Sequence, residues 1–221
     1  MTENDYIGLV LVYLIIAVSL VINQLLERSG KFDKNTARKA VHIGVGNFVF
    51  VWWMFSESWI MLVFFTIPFA ILLFFAMFEG NPISRSGLFL YAVSITIMVV
   101  FFFHHWVAAS VGIIAMTYGD AFGSLVGKRW GKHKIMNHKS LEGTLAVMFS
   151  TAIIAFIVIS FYGYLVANGH YFGDAPTEIH VVAACPLAGA VTAILEAVSP
   201  GEFDNIVIPT SVALLMVLCG L

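Results

Sequence analysis

The sequence predicts an all-α fold: a polytopic membrane helical bundle of about seven to eight transmembrane helices. Three observations carry that expectation. Hydrophobic residues make up 60% of the chain and charged ones only 11%, against about 25% charged residues in ordinary soluble domains. Several apolar runs reach the roughly 18–20 residues that a helix needs to cross the hydrocarbon core. The sustained alternation of a membrane β-barrel is absent.

The elements follow in order. A first span over 6–26 succeeds the acidic start Met1-Thr2-Glu3-Asn4-Asp5. With no basic leader and no small-residue cleavage site, it reads as a retained helix. A second, 38–55, has Asn35 or Thr36 placed to cap it. A third covers 59–78, and a fourth covers 88–103 and ends at His104-His105 beside Trp106, an arrangement suited to a membrane interface. The fifth spans 106–126. The sixth, 143–166, has Ser140 placed as its cap, and the seventh and eighth cover 181–198 and 206–221. The second and fourth are short, which is why the count runs from seven to eight. Cys185 and Cys219 both fall in apolar spans and fit neither a disulfide framework nor a zinc site. No internal repeat or long linker divides the chain, so residues 1–221 read as a single domain.

Alternating these spans across a membrane places all eleven lysines and arginines on one side. They fall in 28–39, at Arg85 and in 128–139. The positive-inside rule makes that side cytoplasmic and puts both termini outside. The outer loops, including the long one over 168–180, carry neither residue.

The polar chemistry gathers at the same edge. Gly119, Gly123, Gly127 and Gly131 recur every fourth residue, one bare stripe on a helix. Such a stripe serves close helix packing or lets a phosphate approach the backbone, and the two uses are compatible. Asp120 lies inside the apolar segment, where a carboxylate is costly and marks a functional position by default. Glu142, Glu196 and Asp204 are expected at the same level, with Glu79 as a further candidate. Lys128, Arg129, Lys132, Lys134 and Lys139 suit a topology signal or anionic lipid. Interleaved with the glycines, and beside the free N–H groups of a helix starting after Ser140, they also suit a polyphosphate. His133 and His138 fall in the same loop. Carboxylates together with phosphates imply Mg²⁺. On the second helix, Arg38, His42 and Gly46 share a face. His42 is a site candidate there, or a histidine satisfied by helix–helix hydrogen bonding.

Three stretches together resemble one family. "RKAVHIGVG" (38–46), "GDAFGSLVGKRWGKHK" followed by "HKSLEGT" (119–144), and Glu196 with Asp204-Asn205 and Pro209 are similar to the polyprenol kinase group. That group includes dolichol kinase, phytol kinase and the CTP-dependent diacylglycerol kinase, with a distant relation to the phosphatidate cytidylyltransferases. The paired-aspartate signature of the cytidylyltransferases is absent here, which weighs towards a kinase.

The resemblance implies CTP as phosphoryl donor and a membrane isoprenoid alcohol (dolichol, phytol or another prenol) as acceptor, reached from the bilayer at the cytoplasmic face. On that reading Asp120 and Glu142 bind Mg²⁺, with Asp204 or Glu196 as further ligands. Gly119, Gly123, Gly127, Gly131, Lys128, Lys132, Lys134, Lys139 and Ser140 form the nucleotide-phosphate site. Arg38 stabilises charge on the transferred group, and His42 or Asp204 takes the hydroxyl proton. The alternatives are a CTP-dependent cytidylyltransferase making a CDP-lipid, a CTP-dependent diacylglycerol kinase and a transporter. The one-sided cluster disfavours the transporter, which would place polar groups at the midplane. No nucleic-acid partner is expected.

Overall fold

The computed structural model describes residues 1–30, 33–78, 82–136, 139–170 and 178–221, without the side chains of 34, 35, 38, 82–85 and 178–180. Among the described residues the chain forms eight helical stretches, and the all-α expectation is borne out. Two compact units divide it, Met1–Phe101 and Phe102–Leu221.

In the first unit, α1 (Glu3–Arg28) begins with a reciprocal cap between Thr2 and Asp5. Asp5 is fully buried, yet it also accepts from the Ser56 amide at 2.7 Å and the Ser56 hydroxyl at 2.9 Å. A buried acid so well supplied with donors is cheap to keep. The second helix, α2 (Lys34–Gly46), starts earlier than predicted. Its cap is Asp33, whose carboxylate accepts from the Thr36 amide at 3.2 Å. Asn35 and Thr36, the expected caps, lie inside the first turn.

The predicted span 38–55 is not one helix. After Gly46 the chain tightens into two 3₁₀ turns, Asn47–Phe50 and Trp52–Met54. The Asn47 side-chain amide donates to the Ile43 carbonyl at 2.9 Å. Its backbone N–H turns instead to the carbonyls of Gly44 and Val45. The side chain thus takes an acceptor that the α-helical ladder would use. With 13 residues, α2 rises only about 20 Å, short of a hydrocarbon core of about 30 Å. It lies close against α1: a Cβ on Gly44 would stand 2.1 Å from the Ser19 hydroxyl oxygen.

Next comes α3 (Ser58–Phe78), interrupted by a π-helical turn over Leu62–Thr66. Pro68 explains the interruption. It has no N–H to give to the Phe64 carbonyl four residues back, and its ring would crowd that carbonyl. The Tyr13 hydroxyl of α1 donates to that oxygen. The unit closes with α4 (Pro82–Phe101).

The second unit holds α5 (Trp106–Trp130), α6 (Leu141–Ala167), α7 (Glu178–Val198) and α8 (Asp204–Leu218). Helix α5 is its centre, in contact with the other three and buried without a break from Val107 to Thr117. Small residues allow that. A Cβ on Gly112 would meet the Pro209 carbonyl of α8 at 2.4 Å, and one on Gly189 of α7 would meet the Met148 carbonyl of α6 at 2.3 Å.

Among the described residues five helices are long and apolar enough to cross a membrane: Glu3–Arg28, Ser58–Phe78, Trp106–Trp130, Leu141–Ala167 and Val181–Val198. Ser86–Phe101 and Asp204–Leu218 are shorter apolar helices. Large apolar side chains stay exposed in stripes, such as Phe149, Ile153 and Phe156 on one face of α6. A contiguous apolar surface of this kind requires lipid around it. The chain is an integral membrane protein.

Candidate active site

The chemistry of the second unit lies where α5 ends, α6 begins, α7 ends and α8 begins. Two short connections make that end, 131–140 and 199–203. Gly201, at φ +59°, allows the second to turn so tightly.

In the first connection, Ser140 caps α6 as expected, accepting from the Gly143 amide at 3.2 Å. The Leu141 amide donates to the His133 carbonyl and the Ile135 amide to the Lys139 carbonyl, both at 2.9 Å. The loop therefore folds back on itself. Glu142 holds it closed: one carboxylate oxygen lies 2.7 Å from His133 Nδ1, and the other accepts from the Lys132 amide at 3.1 Å. Sequence reasoning placed Glu142 on a metal, whereas here its oxygens are engaged by the loop.

Lys139 reaches across to α7 and pairs with Glu196. The Glu196 side chain is 5% exposed and that of Lys139 33%, so the pair ties the two connections together at the edge of the core. Asp204 stands within Coulombic range of Asp120, Glu196 and Lys139. Three of the four expected acids and one of the expected lysines thus share one electrostatic site, drawn from α5, α7, α8 and the α5–α6 loop. Helix α5 runs on to Trp130, four residues past its predicted end, so Lys128 and Arg129 belong to its last turn. There their charge complements the helix dipole, and the Arg129 guanidinium lies 5.1 Å from the centre of the Trp130 ring. Lys128, Lys132 and Lys134 are all exposed at this end.

The glycine stripe is filled by α6. A Cβ on Gly123 would come within 2.4 Å of Val147 Cγ2, and one on Gly119 within 2.9 Å of Thr151 Oγ1. One on Gly127 would stand 3.2 Å, and one on Gly131 2.6 Å, from the Ser140 hydroxyl oxygen. Of the two uses open in the sequence, the bare faces of Gly119 and Gly123 serve helix packing, with no space left there for a phosphate. Gly127 and Gly131 border the capped loop.

In the first unit, His42 is buried and stacked on Tyr91, with ring centres 4.6 Å apart and planes inclined by 14°. The Tyr91 hydroxyl donates to the His42 carbonyl at 3.3 Å. Sequence reasoning missed Tyr91, because nothing in an apolar helix marks which aromatic will meet a given histidine. The Arg38 side chain, Glu79 and His138 lie outside the described residues.

Among the described residues no three His, Cys, Asp or Glu side chains stand close enough together to hold a metal by themselves. Mg²⁺ does not need three. It takes one or two protein carboxylates and fills its shell with water and phosphate oxygens. The hard carboxylate oxygens of Asp120 and Asp204, within electrostatic reach of each other, fit that requirement.

An integral membrane helical bundle with acids and cations gathered at one end defines the class of this protein. Comparison with known proteins then places it. It is 30% identical to a phytol kinase of Synechocystis sp. over an aligned length of 221 residues, covering 95% of this chain and 89% of that one. It is also 32% identical over 108 residues to dolichol kinase sec59 of Schizosaccharomyces pombe, a match spanning 45% of this chain and 17% of that protein. The chain belongs to the polyprenol kinase family. No family model matches it, and no solved structure does.

Proposed function

We propose that this protein is a kinase that transfers the γ-phosphate of CTP to the hydroxyl of a membrane isoprenoid alcohol, at the cytoplasmic face of the bilayer. The observation that carries the proposal is the grouping of Asp120, Glu196, Asp204 and Lys139 within one electrostatic site, beside the exposed cations of α5 and its loop. The kinship with a phytol kinase and a dolichol kinase supports a lipid alcohol as acceptor. The choice of CTP comes from the family resemblance.

Phosphoryl transfer asks for positioning and for neutralisation of charge. Asp120 and Asp204 would hold Mg²⁺, which neutralises charge on the phosphate oxygens. Lys128, Lys132 and Lys134 would gather the polyphosphate, and Lys139, anchored on Glu196, would face it from the loop. Gly127, Gly131 and Ser140 would shape the backbone beneath it. The alcohol oxygen forms the new bond to the γ-phosphorus as the bond to the bridging oxygen breaks, and CDP leaves. Asp204 would accept the hydroxyl proton.

The substitutions Asp120→Asn and Asp204→Asn should each lower phosphoryl transfer from CTP to phytol by at least about a hundredfold, the scale of losing one preorganised charge. Helix content and elution in detergent should stay unchanged. Full activity in either variant contradicts the assignment of the metal to these two acids.

A further inference from the structure

Asn205, the second residue of α8, is 6% exposed. Its side-chain nitrogen donates to the Glu202 carbonyl at 2.9 Å and to Asp204 Oδ1 at 3.0 Å. Both partners are acceptors only, so the nitrogen must face them and the amide cannot be turned over. Oδ1 is thereby directed elsewhere, buried, with no hydrogen-bond partner among the described residues. A buried oxygen left in this way calls for a donor or a cation.

Its surroundings favour the cation. The amide is bonded to Asp204, whose carboxylate lies within electrostatic reach of Asp120, Glu196 and Lys139. The Lys139 ammonium is already bound to Glu196. A divalent ion beside the Asp204 carboxylate would use the stranded oxygen. Neutral amide oxygens beside carboxylates are ordinary ligands for hard cations. We propose that Asn205 Oδ1 is a neutral oxygen ligand of the divalent cation held by Asp120 and Asp204, while the Asn205 nitrogen orients the Asp204 carboxylate towards the same ion. This inference rests on the reading of those two acids given above.

The test is a Mn²⁺ titration of the full-length protein in detergent, followed by electron paramagnetic resonance without nucleotide. Asn205→Leu removes the oxygen and should weaken Mn²⁺ binding by at least about tenfold. Asn205→Asp keeps an oxygen at that position and should stay within about threefold of the parent. Should the leucine variant fail to fold, Asn205→Ala takes its place with the same expected loss. Three results overturn the proposal. Unchanged binding in Asn205→Leu, with binding lost in Asp120→Asn, would sink the role of Asn205 and leave the acids on the metal. Equal losses in the Leu and Asp variants would reduce Asn205 to its bond with Asp204. No Mn²⁺ bound by the parent protein would remove the cation from both readings.

Discussion

At the scale of single residues, the Lys139–Glu196 pair shows how the site is held. Glu196 is almost wholly buried while Lys139 reaches solvent, so removing the lysine strands a carboxylate in the core. Such a break is far more costly than removing both charges together. Lys139→Met should lower stability by about 2 kcal/mol, less than the roughly 3–5 of a fully buried pair. The double variant Lys139→Met with Glu196→Gln should recover most of the loss. Thermal melts of the parent, both single variants and the double variant in one detergent check this. If the double variant is as unstable as Lys139→Met alone, the coupling assigned to the pair is absent. Sequence reasoning found both residues by their level at the membrane edge, but their pairing needs the turn of the 131–140 loop. The same holds for Glu142, whose position was legible and whose partners, His133 and the loop amides, were not.

At the scale of elements, the contact between α5 and α6 decides where that loop sits. Its fit rests on missing side chains. The Cβ of Gly123→Ala would press on Val147, whose β-branched side chain has little freedom to swing away in a helix. The expected cost is about 1–3 kcal/mol, and Val147→Ala should relieve it. Gly163, on α6 with open space around its Cα, is the control: Gly163→Ala should be neutral or gain up to about 1 kcal/mol from helix propensity. A melt in which Val147→Ala fails to rescue Gly123→Ala contradicts the packing role of the stripe. Hydropathy located these helices to within a few residues because burial in lipid depends on composition. It could not see the 3₁₀ turns after Gly46 or the π turn before Pro68. Those depend on which donor meets which carbonyl, and apolar residues follow either path equally well.

At the scale of the whole molecule, the charged residues were the most legible feature. A chain that is 60% hydrophobic spends its few ionisable groups where they are needed, so Asp120, Lys139, Glu196 and Asp204 stood out from their surroundings. Asn205 did not. A neutral amide beside an aspartate gives no signal until its hydrogen bonds are counted. Tyr91 was silent for a similar reason, being one aromatic among many.

The central claim is phosphoryl transfer to a lipid alcohol, and one paired assay addresses it most directly. The purified protein in detergent receives Mg²⁺, phytol or dolichol, and CTP labelled at either the γ- or the α-phosphate. Label should enter the lipid from the γ position only. Label entering from the α position would mean transfer of CMP with release of pyrophosphate, and would contradict the kinase reading.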